Sequence, residues 1–258
     1  SGAVTVTGTS TGAQDQNYGV FVTGANARVT SDSGAVTVTG TSTGGRDRNH
    51  GVYVAGTDAR ITSSTGALTV TGNAGNGRRD NYGVYVTGTN ARIESASSTV
   101  SVTGTGAGNN DRNYGVYVNG SNARVASTSG AVGVTGTGGD GRNNNFGVYL
   151  NGADARVASA GAVTVIGNGG AGVSNNYGVY VNGNGARVAS TDGNVAVTDQ
   201  SAGTGANNSG VRLQNAARVE ATGTGAVSVT GTGGNGTGTN YGVHALSNNT
   251  RIASTGNI

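Results

Sequence analysis

The sequence predicts an all-β protein, a parallel β-solenoid of eight coils with about 32 residues in each coil. Three observations lead to this fold class: a repeat over the whole chain, short alternating apolar runs in each repeat, and an unusual composition. Of the 258 residues, 51 are Gly and only 34% are hydrophobic. A large Leu- and Phe-rich core therefore cannot organise this chain.

The repeat is marked by a Gly that follows an aromatic residue in most units. The markers recur at one constant interval, except that the step from Gly147 to Gly178 is one position shorter than the others. The markers are Gly19, Gly51, Gly83, Gly115, Gly147, Gly178, Gly210 and Gly242. Because this period runs through the chain, we expect a single repeat domain over residues 1–258.

Each unit contains three short runs that are typical of strands. In the first unit they are "AVTVTG", "YGVFVTG" and "ARVTS", separated by Gly, Asn, Thr and Ser. A unit has about six Val-sized side chains at ~2 kcal/mol each, whereas ordering its backbone costs ~1–2 kcal/mol per residue. Neighbouring coils must therefore supply the missing stabilisation. We predict a three-sided helix, right-handed because parallel crossovers strongly prefer that hand.

A coil of half this length is the alternative, since the similar runs "VTVTG" and "VFVTG" begin at Val4 and Val20 of the same unit. The two halves of the unit are not equivalent, because "ARVTS" follows the second run whereas "TGAQD" occupies the matching positions after the first. One turn per full repeat is therefore favoured. The polar segment between the first two runs keeps a constant length, which predicts that it stacks as part of the wall.

An Asn precedes the second strand in every unit. Stacking at ~4.8 Å turns this position into a row, and Asn side chains in such a row bond to one another. We predict a structural ladder formed by Asn17, Asn49, Asn81, Asn113, Asn145, Asn176, Asn208 and Asn240.

All twelve aromatic residues fall in two rows on the second strand. The first row is Tyr18, Tyr82, Tyr114, Phe146, Tyr177 and Tyr241; the second is Phe21, Tyr53, Tyr85, Tyr117, Tyr149 and Tyr180. His50 and His244 fill gaps in these rows, which favours structural histidines. The second row alternates with inward Val residues, so it predicts an exposed stripe. Its tyrosines (Tyr53, Tyr85, Tyr117, Tyr149, Tyr180) are candidate contacts for sugar rings or a partner protein.

A row of eight Arg residues begins the third strand, facing outward. Like charges ~4.8 Å apart repel, so the row needs counter-charges or an anionic ligand. An acid lies two positions from half of the row, namely from Arg60, Arg92, Arg156 and Arg218. This pattern favours charge balance within the wall. The alternative is a ladder for a polyanion such as a sulfated glycan, with Arg28, Arg124, Arg187 and Arg251 as its candidate contacts.

Other functions have weaker signals. Outward Thr rows on the first strand resemble those of insect antifreeze proteins, but Gly133, Ile166 and Ala196 interrupt them. Recurring carboxylates suggest a polysaccharide-active enzyme, yet Arg residues lie beside them as expected partners and the chain has no Lys. These acids are Asp15, Asp47 and Asp111, with Arg46, Arg48 and Arg112 as neighbours. We expect no enzymatic activity, cofactor or metal.

Composition excludes several partners. The absence of Cys rules out disulfides and thiolate metal sites. A net charge of only +3 does not indicate nucleic-acid binding. No run reaches the roughly 20 apolar residues of a membrane helix, so membrane insertion is not expected.

The unit "GAVTVTGTxxxGxxxxNYGVYVxGxNARVxS" is similar to repeats of bacterial surface proteins of the filamentous haemagglutinin type, secreted by the two-partner route. The resemblance implies a right-handed β-helical shaft outside the cell, in an adhesin or fibre. The chain begins and ends at the same point of the repeat, and we expect it to continue by stacking on itself. Host or matrix glycans are candidate partners, and a glycan-binding solenoid module is the alternative function.

Overall fold

The computed structural model describes residues 2–255, which fold as a β-solenoid without a helix. The chain passes through three parallel sheets in turn and adds one strand to each sheet in every coil. Val4 pairs with Val36, its equivalent in the following repeat. The predicted fold class and coil length are confirmed, and the coil of half that length is excluded.

Each sheet has eight strands in a single order along the solenoid axis. The first sheet comprises β1 (Val4–Ser10), β4 (Val36–Ser42), β7 (Leu68–Asn73), β10 (Val100–Thr105), β13 (Val132–Thr137), β16 (Val163–Gly169), β19 (Val195–Ser201) and β22 (Val227–Thr230). The second comprises β2 (Tyr18–Thr23), β5 (His50–Ala55), β8 (Val84–Thr87), β11 (Val116–Asn119), β14 (Val148–Asn151), β17 (Val179–Asn182), β20 (Val211–Gln214) and β23 (Val243–Leu246). The third comprises β3 (Arg28–Ser31), β6 (Arg60–Ser63), β9 (Arg92–Ser95), β12 (Arg124–Ser127), β15 (Arg156–Ser159), β18 (Arg187–Ser190), β21 (Arg218–Ala221) and β24 (Arg251–Ser254).

The hydrophobic core consists mainly of inward Val side chains from all three sheets, because alternate residues of each strand face the interior. In the second coil, Val36, Val52 and Ile61 come from the three different sheets and are fully buried. Each row continues into the next coil, so the core is one continuous column. The small side chains suit a narrow interior.

Two rows of Gly bring the backbones of the first and second sheets into contact. A Cβ added to Gly40 would lie 2.1 Å from the carbonyl oxygen of Gly51, and a Cβ on Gly51 would lie 2.2 Å from the backbone nitrogen of Asn73. Gly permits this close approach because it has no Cβ. We call this contact the glycine neck. It separates the Val core from the polar segment between the first two strands of each coil.

This polar segment, residues 11–17 in the first coil and their equivalents, is called the polar arc. Its backbone bonds to the arc of the next coil, with the Gln16 N–H donating to the Asp47 oxygen at 3.0 Å and the Arg48 N–H to the Arg79 oxygen at 3.1 Å. The prediction that the arc stacks as part of the wall is confirmed.

A buried Ser row, which the sequence analysis did not identify, lies at the corner after the third sheet. Ser63 Oγ donates to the carbonyl oxygen of Gly34 at 3.1 Å and accepts the Gly66 N–H at 3.0 Å. Equivalent bonds from one coil to the next recur at Ser31, Ser95, Ser127, Ser159 and Ser190. The row satisfies turn carbonyls that strands cannot reach.

The glycine neck predicts a strong position dependence for Gly→Ala substitutions in the first sheet. A Cβ at Gly104 would lie 2.1 Å from the Gly115 oxygen, whereas a Cβ at Gly133 has no heavy atom within 4 Å. Gly104→Ala should therefore lower the free energy of unfolding by about 1–3 kcal/mol or more, as measured by thermal denaturation. Gly133→Ala is the matched control and should be neutral or slightly stabilising. Equal melting temperatures for the two variants would contradict the neck.

Candidate functional site

The predicted Asn ladder is present and buried within the polar arc. From Asn49 to Asn208 these side chains are fully buried. Nδ2 of one Asn donates to Oδ1 of the Asn in the following coil at 2.8–3.2 Å. From Asn49 to Asn208 the backbone N–H also donates to Oδ1 of the Asn in the following coil, at 2.7–3.1 Å. The row therefore joins side chain and backbone along the axis.

The ladder also holds the backbone in an unusual conformation. The residue directly before the ladder Asn has a positive φ of 56° to 66° in seven coils. The seven are Gln16, Arg48, Asp80, Arg112, Asn144, Asn175 and Asn207. Long side chains such as Arg48 adopt this region at a cost, so the buried Asn bonds must compensate for it.

The two aromatic rows form a double column outside the Val core. Rings of the first column, with His50 in place of one Tyr, stack at 4.8–5.2 Å from Tyr18 to Tyr177. Rings of the second column stack at 4.8–4.9 Å from Phe21 to Tyr180. The columns meet edge to face, for example at 5.0 Å between Tyr82 and Tyr85. These distances lie in the favourable range for aromatic pairs.

The prediction that the second row forms an exposed stripe is wrong for its tyrosines. Tyr53, Tyr85, Tyr117, Tyr149 and Tyr180 are partly buried because they pack against the first column. Burial raises the pKa of Tyr53 and of Tyr149 to about 12. Each ring from Tyr53 to Tyr149 stacks on a neighbouring ring at both faces, and the Arg212 guanidinium lies 5.7 Å from the ring of Tyr180. Sugar rings pack on free aromatic faces, which this row does not offer along its length.

The two histidines lie within the aromatic columns. His50 is buried between Tyr18 and Tyr82, and its Nδ1 accepts the Tyr82 N–H at 3.3 Å. Burial lowers the pKa of His50 to about 3. His244 packs against Tyr241 at 4.3 Å, and burial lowers its pKa as well. His50 is therefore neutral and acts as a ring in the stack.

The ion pairs of the polar arc differ from those expected. Asp47 pairs with Arg78 and Arg79 at 3.2 Å rather than with Arg46 or Arg48. Arg112 pairs with Asp80 at 2.8 Å rather than with Asp111. The remaining acids serve the backbone, as Asp15 accepts the Asp47 N–H and Asp111 accepts the Asn143 N–H. Every carboxylate of the expected series is thus engaged between coils.

The Arg row is in register over all eight strands of the third sheet. Most of its ion pairs join an Arg to an acid of the preceding coil. Arg124 makes two bonds to Glu94, at 2.9 and 2.8 Å, Arg187 lies 3.3 Å from Asp154, and Arg251 pairs with Glu220. Arg92 contacts Asp58 of the preceding coil at 3.6 Å and, as expected, Glu94 of its own strand at 3.3 Å.

The expected pair of Arg92 with Glu94 is confirmed. The rest of the expected pairing is corrected, because Arg124, Arg187 and Arg251, which lacked a partner two positions away, pair with acids of the preceding coil. Adjacent coils are ~4.8 Å apart, whereas residues two apart on a strand are ~6.6 Å apart. An Arg side chain therefore reaches the neighbouring coil more easily than its own strand. Within residues 2–255, the Arg residues of the row without an ion pair are Arg28, Arg60, Arg156 and Arg218.

The seventh coil departs from three rows at once. Asp199 replaces the Gly of the neck, Ser209 replaces an aromatic ring, and Arg212 replaces a Tyr. The Arg212 guanidinium lies 5.1 Å from the Tyr177 ring and 5.7 Å from the Tyr180 ring. It therefore covers the end of both columns by cation–π contact.

Asp199 is buried in the neck between Gly178 and Gly210. Its carboxylate oxygens have no well-formed hydrogen bond within the described chain. Burial raises the pKa of Asp199 to about 9, although the backbone N–H groups of Thr232, Gln200 and Ser201 offset part of this effect. The carboxyl is consequently protonated in the folded protein at neutral pH.

Residues 2–255 contain no group of three or more His, Cys, Asp or Glu side chains arranged to hold a metal ion. They also contain no helix with the length and apolar character needed to cross a membrane.

The ladder predicts that Asn113→Asp is destabilising. Nδ2 of Asn113 donates to the backbone oxygens of Arg78 and Asn110 and to Oδ1 of Asn145. A carboxylate at this site loses these donors and is desolvated, so the free energy of unfolding should fall by about 1–3 kcal/mol or more. Chemical denaturation measures the change. Asn109→Asp is the control, since Asn109 is exposed in the same coil. Equal destabilisation by both substitutions would contradict a buried ladder.

Asp199 predicts a stability that decreases as pH rises. The folded pKa of about 9 lies above the ordinary value of 3.8, so this group does not oppose folding below pH 3.8. Between these values unfolding releases a proton, and stability falls by about 1.4 kcal/mol per pH unit. Asp199→Gly should raise the melting temperature at pH 8 and flatten its dependence on pH. Asp32→Ser, at an exposed corner, should leave the slope unchanged. A wild-type slope retained in Asp199→Gly would contradict this assignment.

Known proteins do not assign the chain to a family. No protein-family model, curated protein or solved structure matches it. The resemblance to filamentous haemagglutinin-type repeats therefore depends on the repeat residues themselves, and the function is inferred from the geometry of the rows.

Proposed function

We propose that this chain is a structural segment of an extracellular shaft or fibre on a bacterial surface. The observation that carries the proposal is the unbroken pairing of all eight coils in all three sheets. Backbone hydrogen bonds, the Asn ladder and the aromatic columns all run along one axis. Eight coils at ~4.8 Å give a rod of about 38 Å. Such an arrangement suits a protein that spans a distance.

The partner proposed for this segment is a further coil of the same kind, from the same chain or from a second copy. Val243 and Ile252 in the last coil are each 40% exposed, whereas Val211 and Val219 at the equivalent positions one coil earlier are fully buried. Within residues 2–255, each strand at the end of a sheet also has one edge that pairs with no other strand. A further coil in register, from the same chain or a second copy, buries these side chains and pairs these edges.

A glycan-binding module is the second candidate function. The aromatic columns support it poorly, because stacking covers the ring faces from Tyr53 to Tyr149. The Arg row supports it better, because a groove of about 360 Å³ opens beside Arg156 and Arg187. Binding to an array of neutral, uronic and sulfated glycans tests this second function, because a chain that serves only as a shaft binds none of these glycans.

Coil stacking between copies predicts concentration-dependent association of the purified chain. Ile252→Arg places a charge on the apolar end of the last coil, so it should weaken association at least about tenfold. Sedimentation velocity over a concentration series, with electron microscopy of the particles, measures the effect. Val173→Arg is the control, because Val173 is 49% exposed but lies in the sixth coil, away from both ends. A wild-type chain that remains monomeric throughout would contradict association between copies.

A further inference from the structure

The third sheet carries a groove whose floor is a row of small side chains. Ala126, Ala158 and Ala189 are aligned by parallel pairing in successive coils. The same row continues to Glu94 at one end and to Glu220 at the other. Because four strand spacings separate the two glutamates, the floor is about 19 Å long. The groove is open to solvent and has a volume of about 360 Å³.

The wall of the groove includes Arg156 and Arg187. Arg187 is held by Asp154 at 3.3 Å and by the Gly185 carbonyl oxygen at 3.1 Å. Arg156, in the strand between those of Arg124 and Arg187, makes no side-chain hydrogen bond or ion pair with any residue from 2 to 255. Burial, Arg124 and Arg187 lower the pKa of Arg156, and Glu94 and Asp154 offset only part of this effect. A partly buried guanidinium in this field is stabilised by an added anion.

We propose that this groove binds a sugar that carries one carboxylate, a uronic acid, with Arg156 as its anchor. The guanidinium fork matches the two oxygens of a carboxylate. The alanine floor accommodates an uncharged ring, and the hydroxyl-bearing side chains of Thr128 and Thr191 line the groove for sugar hydroxyl groups. The proposal adds a binding site to the shaft and does not depend on the association of copies.

The charges at the groove ends define the ligand further. Glu94 and Glu220 lie at the two ends, about 19 Å apart, and each is already in an ion pair, Glu94 with Arg92 and Arg124 and Glu220 with Arg251. A single carboxylate near the centre meets Arg156 and avoids both glutamates. The groove therefore selects against a densely sulfated polymer, because its further anions would meet arginines whose charge the glutamates already balance.

The backbone of the third sheet favours a sugar over an acidic peptide. Its inner strands are paired on both sides, as β15 is between β12 and β18. An extended peptide in the groove consequently finds no free strand edge for main-chain hydrogen bonds. A uronic acid needs only the guanidinium, the hydroxyl groups and the apolar floor.

The test is an NMR titration of the whole chain with galacturonate at millimolar concentration. Arg side-chain Nε–Hε and Ala methyl signals of the groove should shift, and Arg156→Gln should weaken binding by about tenfold or more, as expected for the loss of a charge-assisted hydrogen bond. Arg28→Gln is the matched control, because Arg28 is in the same row without an ion pair and lies outside the groove. It should leave binding unchanged.

Three control ligands test whether the groove recognises a carboxylate carried by a sugar. The methyl ester of galacturonate, which has no charge, should not bind. An acetylated, amidated tripeptide with one central Asp should bind more weakly than galacturonate, and tighter peptide binding would overturn the sugar assignment. Tighter binding of a sulfated oligosaccharide than of galacturonate would overturn the single-carboxylate assignment. Absence of any shift with galacturonate, or equal affinity in Arg156→Gln, would overturn the site.

A stability measurement distinguishes an effect of Arg156→Gln on binding from an effect on folding. Because this substitution removes an unpaired charge between two like charges, its melting temperature should equal or exceed that of the wild type. Arg124→Gln breaks the paired contact with Glu94 and should lower the melting temperature. A strongly destabilised Arg156→Gln would show that this residue is structural and would overturn its role as an unpaired anchor.

Discussion

Parallel stacking of like residues at the strand spacing is the constraint on which this structure depends. Each side chain lies ~4.8 Å from its equivalent in the next coil, so a residue type is tolerated only if it interacts well with copies of itself. Asn meets this condition because its amide is both donor and acceptor. Tyr and Phe meet it by stacking, and Gly meets it where backbones touch. Arg does not, which explains why acids recur beside the Arg row.

This constraint also explains which features could be predicted from the sequence. The coil length, the three strands and the Asn ladder depend on periodicity alone, because a row needs only its repeat position. The exposure of Tyr85 could not be predicted, since it depends on the edge-to-face packing of the Tyr82 ring against it. The alternation of residues along the strand correctly predicts that Tyr85 points away from the Val core. It carries no information about the neighbouring aromatic column, which contains Tyr82.

The Arg partners illustrate a second limit. The sequence spacing placed Glu220 beside Arg218, whereas the structure pairs Glu220 with Arg251 of the next coil. In a solenoid the nearest neighbour in space lies one full repeat away in the chain, and spacing within a strand does not show towards which coil a long side chain extends.

The Ser row was detectable, because Ser ends the third run of most units, but its hydrogen bonds depend on the corner geometry. Asp199 interrupts a Gly row whose role as a contact is visible only once the first and second sheets are seen together.

Side-chain hydrogen exchange of the Asn ladder tests the central claim most directly. The ladder places Nδ2 groups from Asn49 to Asn176 in buried bonds to the next coil. NMR should therefore show a set of Asn side-chain amide protons that exchange far more slowly than those of exposed residues such as Asn109, and that lose protection only with global unfolding. Exchange of all Asn side-chain amides at the rate of exposed residues would contradict the buried ladder and the stacked arc that depends on it.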